Sequence, residues 1–245
     1  ASGSDAEALA KQLANPVASL ISVPFQNNWD FGYGRDDDGW RYTLNVQPVI
    51  PFSIGKNWNL ISRTILPILY QDDVLPGTDE SGLGDTVQSL FLSPKEPWPF
   101  GLVWGVGPVA LLPTGTREVL SAEKWGAGPT LVALKQAGPW TAGVLANHIW
   151  SFAGDGDRDD VSTTFLQPFL NYTTKKATGF VLNTESTYDW QGDAWAVPIN
   201  AGVTQVFKIG GQRVQIGVLG RWWAETPRGG PEWGFRLPIT LLFPR

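Results

Sequence analysis

Cysteine is absent from the 245 residues, methionine is absent too, and histidine occurs once, at His148. Without cysteine there is no disulfide framework and no thiolate metal site. The lack of methionine extends to position 1, so the chain is expected to begin after a cleaved signal peptide, with Ala1-Ser2-Gly3-Ser4 as the mature terminus. Charge is sparse as well. There are 18 Lys and Arg against 23 Asp and Glu, a net charge of −5, with no basic cluster. Nucleic acid is therefore excluded as an expected partner. No uninterrupted apolar run approaches the roughly 20 residues that a spanning helix needs, which excludes a helical membrane protein.

What is present is aromatic and turn-rich: 13 Trp, 28 Gly and 19 Pro. Residues 195–243 carry the clearest pattern. Val197, Ile199, Ala201 and Val203 alternate with Pro198, Asn200, Gly202 and Thr204. After the turn Ile209-Gly210-Gly211-Gln212, Val214, Ile216 and Val218 alternate with Arg213, Gln215, Gly217 and, further on, Arg221. A polar loop from Thr226 to Glu232 precedes Phe235, Leu237, Ile239, Leu241 and Phe243, set against Gly234, Arg236, Pro238 and Thr240. Strict alternation means strands with two unlike faces. Short turns, long loops and a terminal aromatic strand predict an all-β chain, a transmembrane antiparallel β-barrel.

The same reading extends over the whole chain and predicts about twelve strands in one domain, 1–245. Residues 1–17 form a helical segment and 18–245 the barrel. Asp5 to Ala14 has helix character, capped by Ser4 or Asp5 and ended by Pro16. Such a helix either plugs the lumen, lies at the membrane surface, or is a loosely held terminus. Strand three, Trp58 to Gln71, has poorly separated faces and leaves Arg63 without an orientation. Pro48, Pro108, Pro129, Pro168, Pro198 and Pro238 fall inside strands, where missing ladder donors lead us to expect bulges. Trp104-Gly105-Val106-Gly107-Pro108 recurs as Trp125-Gly126-Ala127-Gly128-Pro129.

Parity assigns candidate lumen residues: Gln26, Asn28, Asp30, Arg41, Asn45, Gln47, Gln167, Asn183, Glu185, Asp189, Asn200, Arg221 and Arg236. Arg41, Arg221 and Arg236 are expected to form a positive wall, with Glu185 and Asp189 a few strands away. Interior charges of both signs can narrow a pore and set its selectivity. They can equally pair and fill a small barrel. Trp29, Trp40, Trp58, Trp125, Trp140, Trp190, Trp195 and Trp233 sit at strand ends, as interfacial aromatic girdles require.

Val23-Pro24-Phe25-Gln26-Asn27-Asn28-Trp29, Gln47-Pro48-Val49-Ile50-Pro51-Phe52 and Trp58-Asn59-Leu60-Ile61-Ser62-Arg63-Thr64 carry a resemblance. Gly84-Asp85-Thr86, Ser93-Pro94-Lys95 and Ala146-Asn147-His148-Ile149-Trp150-Ser151 add to it. The chain resembles bacterial outer-membrane transporters related to the meta-pathway phenol degradation group. The resemblance implies a Gram-negative outer-membrane barrel that passes small solutes, aromatic or hydrophobic ones among them. It supplies no catalytic residues.

His148 invites comparison with outer-membrane lipases. His148 and Ser151 are three apart and should point oppositely, so the chain is not expected to be an enzyme. Asp155, Asp157 and Asp159 have the spacing of half a calcium loop. However, Asp160 stands where glycine belongs and Leu166 where the closing glutamate belongs. A solvated acidic loop is the preferred reading, with no metal or other cofactor expected. The expected function is passive passage of small solutes. The alternatives are a sealed structural barrel or membrane anchor and, third, a lipid-active enzyme. The expected partners are outer-membrane lipid, lipopolysaccharide and a small-molecule solute. The sequence gives no oligomeric state.

Overall fold

A computed structural model describes residues 3–75 and 77–244. The expected mature terminus at Ala1 and Ser2, and the side-chain cap at Ser4, lie outside what is described. Helix α1 spans Gly3–Leu13, with Glu7 and Lys11 paired at 2.8 Å one turn apart. It begins two residues earlier and ends one residue before the expected helix, and barrel pairing starts at Ile21 rather than Ala18.

Twelve staves follow. They are β1 (Ile21–Tyr33), β2 (Gly39–Val46 continued by Val49–Ile54), β3 (Trp58–Asp72) and β4 (Asp79–Leu83 continued by Thr86–Pro94). Then come β5 (Leu102–Leu112), β6 (Lys124–Ala137), β7 (Trp140–Gly154) and β8 (Ser162–Thr173). The last are β9 (Thr178–Thr184 continued by Ser186–Asp189), β10 (Ala194–Ile209), β11 (Gln212–Glu225) and β12 (Trp233–Phe243). Every stave pairs antiparallel with its sequence neighbours, and β1 pairs with β12 from Ile21↔Phe243 to Phe31↔Trp233, closing the sheet. Closure leaves no sheet edge, which is what a lipid-facing sheet requires.

Connections alternate strictly. Residues 55–57, 138–139, 174–177 and 210–211 make tight turns at one end, with the longer 95–101 among them. At the other end stand 34–38, 73–78, 113–123, 155–161, 190–193 and 226–232, most of them longer than those turns.

The expected bulges occur at only some prolines. Pairing is interrupted at Gln47-Pro48, and the register shifts at Val197/Pro198. Pro108 and Pro129 instead face each other in unbroken register, and Pro168 and Pro238 also keep theirs on one side, while on the other side of each proline the pairing skips two residues without shifting register. The preceding glycines explain the repeated motif. A Cβ on Gly107 would lie 1.9 Å from the Leu90 carbonyl oxygen, and one on Gly128 would lie 1.7 Å from that of His148. The neighbouring strand closes in on the missing side chain where the pairing skips the glycine and proline, so the register is kept without an inserted residue although the ladder is interrupted.

The N-terminal segment occupies the tight-turn mouth of the barrel. Leu9 and Ala10 pack with Leu20, Ala177, Val206 and Leu242. Val17 joins Ile61, Phe91, Val132, Leu134 and Leu145, all buried on the inner wall. Gln136 Nε2 donates to the Lys11 carbonyl at 2.9 Å, and Asn59 Nδ2 to Ser19 Oγ at 2.8 Å. Of the three expectations for this segment, it is the plug that the packing shows.

Candidate functional site

Above the plug, the inward phases of several staves converge on a charged belt. Side chains two apart on a strand share a face, so Asn28 and Asp30 on β1 point inward together, as do Arg221 on β11 and Arg236 on β12. Arg221 Nε donates to Asp30 Oδ1 at 2.7 Å, with both side chains nearly solvent-free. Arg236 Nε donates to Asn28 Oδ1 at 2.5 Å. Its two terminal nitrogens reach Glu185 on β9 as a bidentate pair, at 2.8 and 2.7 Å. Arg221 Nη1 lies 3.8 Å from the same carboxylate. A fork-to-fork pair of this kind fixes direction as well as charge. The expected separation of a positive wall from distant acids is therefore corrected. Long arms span the curve of the wall, and Glu185 meets the arginines directly.

A second limb continues the belt. Gln47 Nε2 donates to Gln26 Oε1 at 2.8 Å, and Arg63 Nη2 donates to Gln47 Oε1 at 3.1 Å. Register orients Arg63, because it lies opposite Val49 and Ser89 in the phase of buried Ile61 and Phe91. Nearer the long-loop end, Arg41 Nη2 donates to Gln71 Oε1 at 2.7 Å, and its guanidinium lies over the Tyr33 ring at 4.8 Å. Arg221 likewise sits 5.5 Å from the Trp223 ring.

Between plug and belt lies a cavity of about 240 Å³. Its wall is mixed. Leu13, Leu20, Phe169, Val181 and Leu219 contribute apolar surface, while Gln47, Arg63, Gln167, Asn171, Asn183 and Arg236 contribute polar groups.

Asp30, Asn28, Glu185, Arg221 and Arg236 meet in one network; Gln26, Gln47 and Arg41 stand in the adjoining limbs. Asn200 is fully buried and donates to Asn183 at 2.8 Å. Gln167 lies on the cavity wall, and Asn45 is half-buried opposite Gln26. Asp189 is the correction: it is exposed at the rim, accepting from the Gln191 amide, outside the network. Arg63, Gln71, Tyr33 and Trp223 were missed. The signal that could have found Arg63 was its position two residues from Ile61, once that phase is known to face inward.

Of the tryptophans at strand ends, Trp58, Trp125, Trp140, Trp190, Trp195 and Trp233 are exposed. Trp29 and Trp40 are half-buried among other rings: Trp29 stacks on Phe235 at 4.8 Å, and Trp40 meets Tyr70 at 5.2 Å.

His148 lies on the outer face. Its Nδ1 is 2.7 Å from Thr164 Oγ1, its Nε2 is 3.5 Å from Ser162 Oγ, and Trp150 packs against its ring. Ser151 donates instead to Asp160 Oδ1 at 3.1 Å. The acids of 155–160 hold the loop. Asp157 N–H bonds Asp155 Oδ1 at 2.8 Å, and Lys124 Nζ reaches Asp160 at 3.2 Å. The bonds from Lys124 and Ser151 hold the Asp160 carboxyl below its usual pKa. No group of three or more metal-ligating side chains is found among the described residues.

A closed, antiparallel twelve-stave barrel with long loops at one end and tight turns at the other belongs to the outer-membrane class. Among solved structures it is similar to an outer membrane channel from Pseudomonas putida F1. The TM-score is 0.69 at 15% identity, over 91% of this chain and 94% of that one. It is also similar to the outer membrane phospholipase dimer of Salmonella typhi with bound calcium. There the TM-score is 0.50 at 13% identity, over 100% of this chain and 99% of that one. No family model matches the chain, and no curated protein matches it in sequence. At these identities the likeness establishes the fold.

Proposed function

We propose that this protein is an outer-membrane channel for passive passage of small solutes. The observation that carries the reading is the internal cavity, bounded by a charged, hydrogen-bonded belt on one side and a helical plug on the other. Paired charges alone would suit a sealed barrel too, but here two carboxylates stand against four guanidiniums beside the cavity, an excess of buried charge that is costly to desolvate. Retaining that excess is consistent with a path that orients or selects a solute. The likeness to the Pseudomonas putida channel points the same way, as does the sequence resemblance to outer-membrane transporters. In this reading the exposed strand-end tryptophans are the two interfacial girdles, lipid and lipopolysaccharide surround the wall, and the solute is the remaining partner. His148 needs no catalytic role, because its outward bonds join β7 to β8 within the aromatic rim.

Liposome swelling tests the proposal. Vesicles carrying the full chain should admit small uncharged solutes faster than protein-free vesicles, with the rate falling steeply as solute size rises. Rates equal to those of protein-free vesicles for every solute would favour the sealed barrel.

A further inference from the structure

We infer that the internal cavity is a binding site for a small carboxylate with a compact apolar body, and that Arg63 anchors the carboxylate. The inference rests on the channel reading for its place in transport, but the site is argued from its own chemistry. The belt holds four guanidiniums, those of Arg41, Arg63, Arg221 and Arg236, against two carboxylates, those of Asp30 and Glu185. Both carboxylates are taken. Asp30 is held by Arg221 at 2.7 Å, and Glu185 is gripped by Arg236 through both oxygens. Arg41 has the neutral Gln71 and the Tyr33 face.

Arg63, like Arg41, has no carboxylate within 4.0 Å among the described residues, but its guanidinium makes a single hydrogen bond, to neutral Gln47 at 3.1 Å, where that of Arg41 makes two to Gln71 and lies over a ring. A guanidinium carries five N–H donors and stays charged at every accessible pH. Arg63 is only partly buried, and it lines the cavity, so its remaining exposure is to that space. Arg63 feels Glu185 only at longer range, since both oxygens of that carboxylate are held by Arg236, so its spare donors are open to an anion in the cavity, and a planar carboxylate matches the fork.

The rest of the wall sets the body of the ligand. Leu13 and Leu20 of the plug and Phe169 of β8 offer an apolar side, which a bare inorganic anion would leave wet. A volume near 240 Å³ lies below the roughly 300–1,000 Å³ of sites for drug-sized ligands, so the body is small.

Isothermal titration of the full chain in micelles tests this, with hexanoate as probe and 1-hexanol and hexylammonium as its neutral and cationic analogues. Hexanoate should bind at least about 10-fold more tightly than 1-hexanol, as a charge-assisted pair predicts, and hexylammonium should not bind. Arg63→Gln should erase the advantage of hexanoate, and Arg63→Lys should keep part of it. Equal affinity for the acid and the alcohol would overturn the inference. So would no hexanoate binding, or a charge preference that survives Arg63→Gln. If Arg63→Gln fails to fold, seen as lost heat-modifiable mobility on a gel, the three-ligand comparison on the wild type decides. Binding without solute passage would keep the site and remove the channel reading; passage without a carboxylate preference would do the reverse.

Discussion

Asp30 and Arg221 meet at 2.7 Å with side chains only 7% and 6% exposed, so neither charge has water to fall back on. Removing one member leaves the other enclosed and unpaired, a loss of about 3–5 kcal/mol for a buried pair. Asp30→Asn should therefore lower the urea midpoint of the refolded barrel, read by tryptophan fluorescence. Asp189→Asn, at the exposed rim, should leave it unchanged within about 0.5 kcal/mol. Equal effects would mean that the belt contributes nothing special. At this scale the sequence was informative wherever alternation was clean. On β1, β11 and β12 it separated Asn28, Asp30, Arg221 and Arg236 from the lipid side. On β3 it failed for a physical reason. Ile61 points inward to meet Val17 of the plug, while outward Ser62 and Thr64 share hydrogen bonds with Gln88. Both faces of the strand are mixed, so the two-residue period carries no sign and Arg63 stayed unassigned. Parity also says which way Asp189 leans, but not that the barrel has already opened to its rim there.

Elements are held by a few side chains whose importance spacing alone does not reveal. Asp85 sits in the break of β4 and accepts from the Gly115 amide at 3.0 Å, Ser121 Oγ at 2.7 Å and the Ala122 amide at 2.7 Å. One carboxylate thus pins both ends of the 113–123 loop. Asp85→Ala should leave the barrel folded but make this loop the first site of limited proteolysis. An unchanged digestion pattern would contradict the assignment. The helix was legible from Ala8, Leu9 and Leu13 on one face. Its destination was not, because a plug and a membrane-surface helix need the same apolar stripe. Only the closed barrel shows Val206 and Leu242 turned inward to receive Leu9. Leu9→Asp sets a charge into that contact and should loosen the plug, raising solute entry in swelling assays several-fold. A rate no higher than that of the wild type would show that the plug does not limit passage.

At the scale of the whole molecule, apolar side chains turned outward replace the buried core of a water-soluble protein. Val203, Ile216, Leu237 and Ile239 are all exposed on the outer wall. Ile239→Cys should react with a lipid-soluble thiol reagent in membranes and resist a water-soluble one. The reverse would overturn the inside-out assignment on which the account depends. Strand number, closure and loop asymmetry were all legible, because each stave repeats one two-faced pattern with a turn signal between copies. The local response to in-strand prolines was not, since it depends on the strand that lies alongside. The central claim is passage through a lumen whose unpaired charge is positive. It is tested most directly by planar-bilayer recording of the full chain under a potassium chloride gradient. The account predicts measurable conductance, a zero-current potential on the anion-selective side, and movement of that potential toward cations in Arg63→Gln. Zero conductance at every voltage in both the wild type and Leu9→Asp would contradict it.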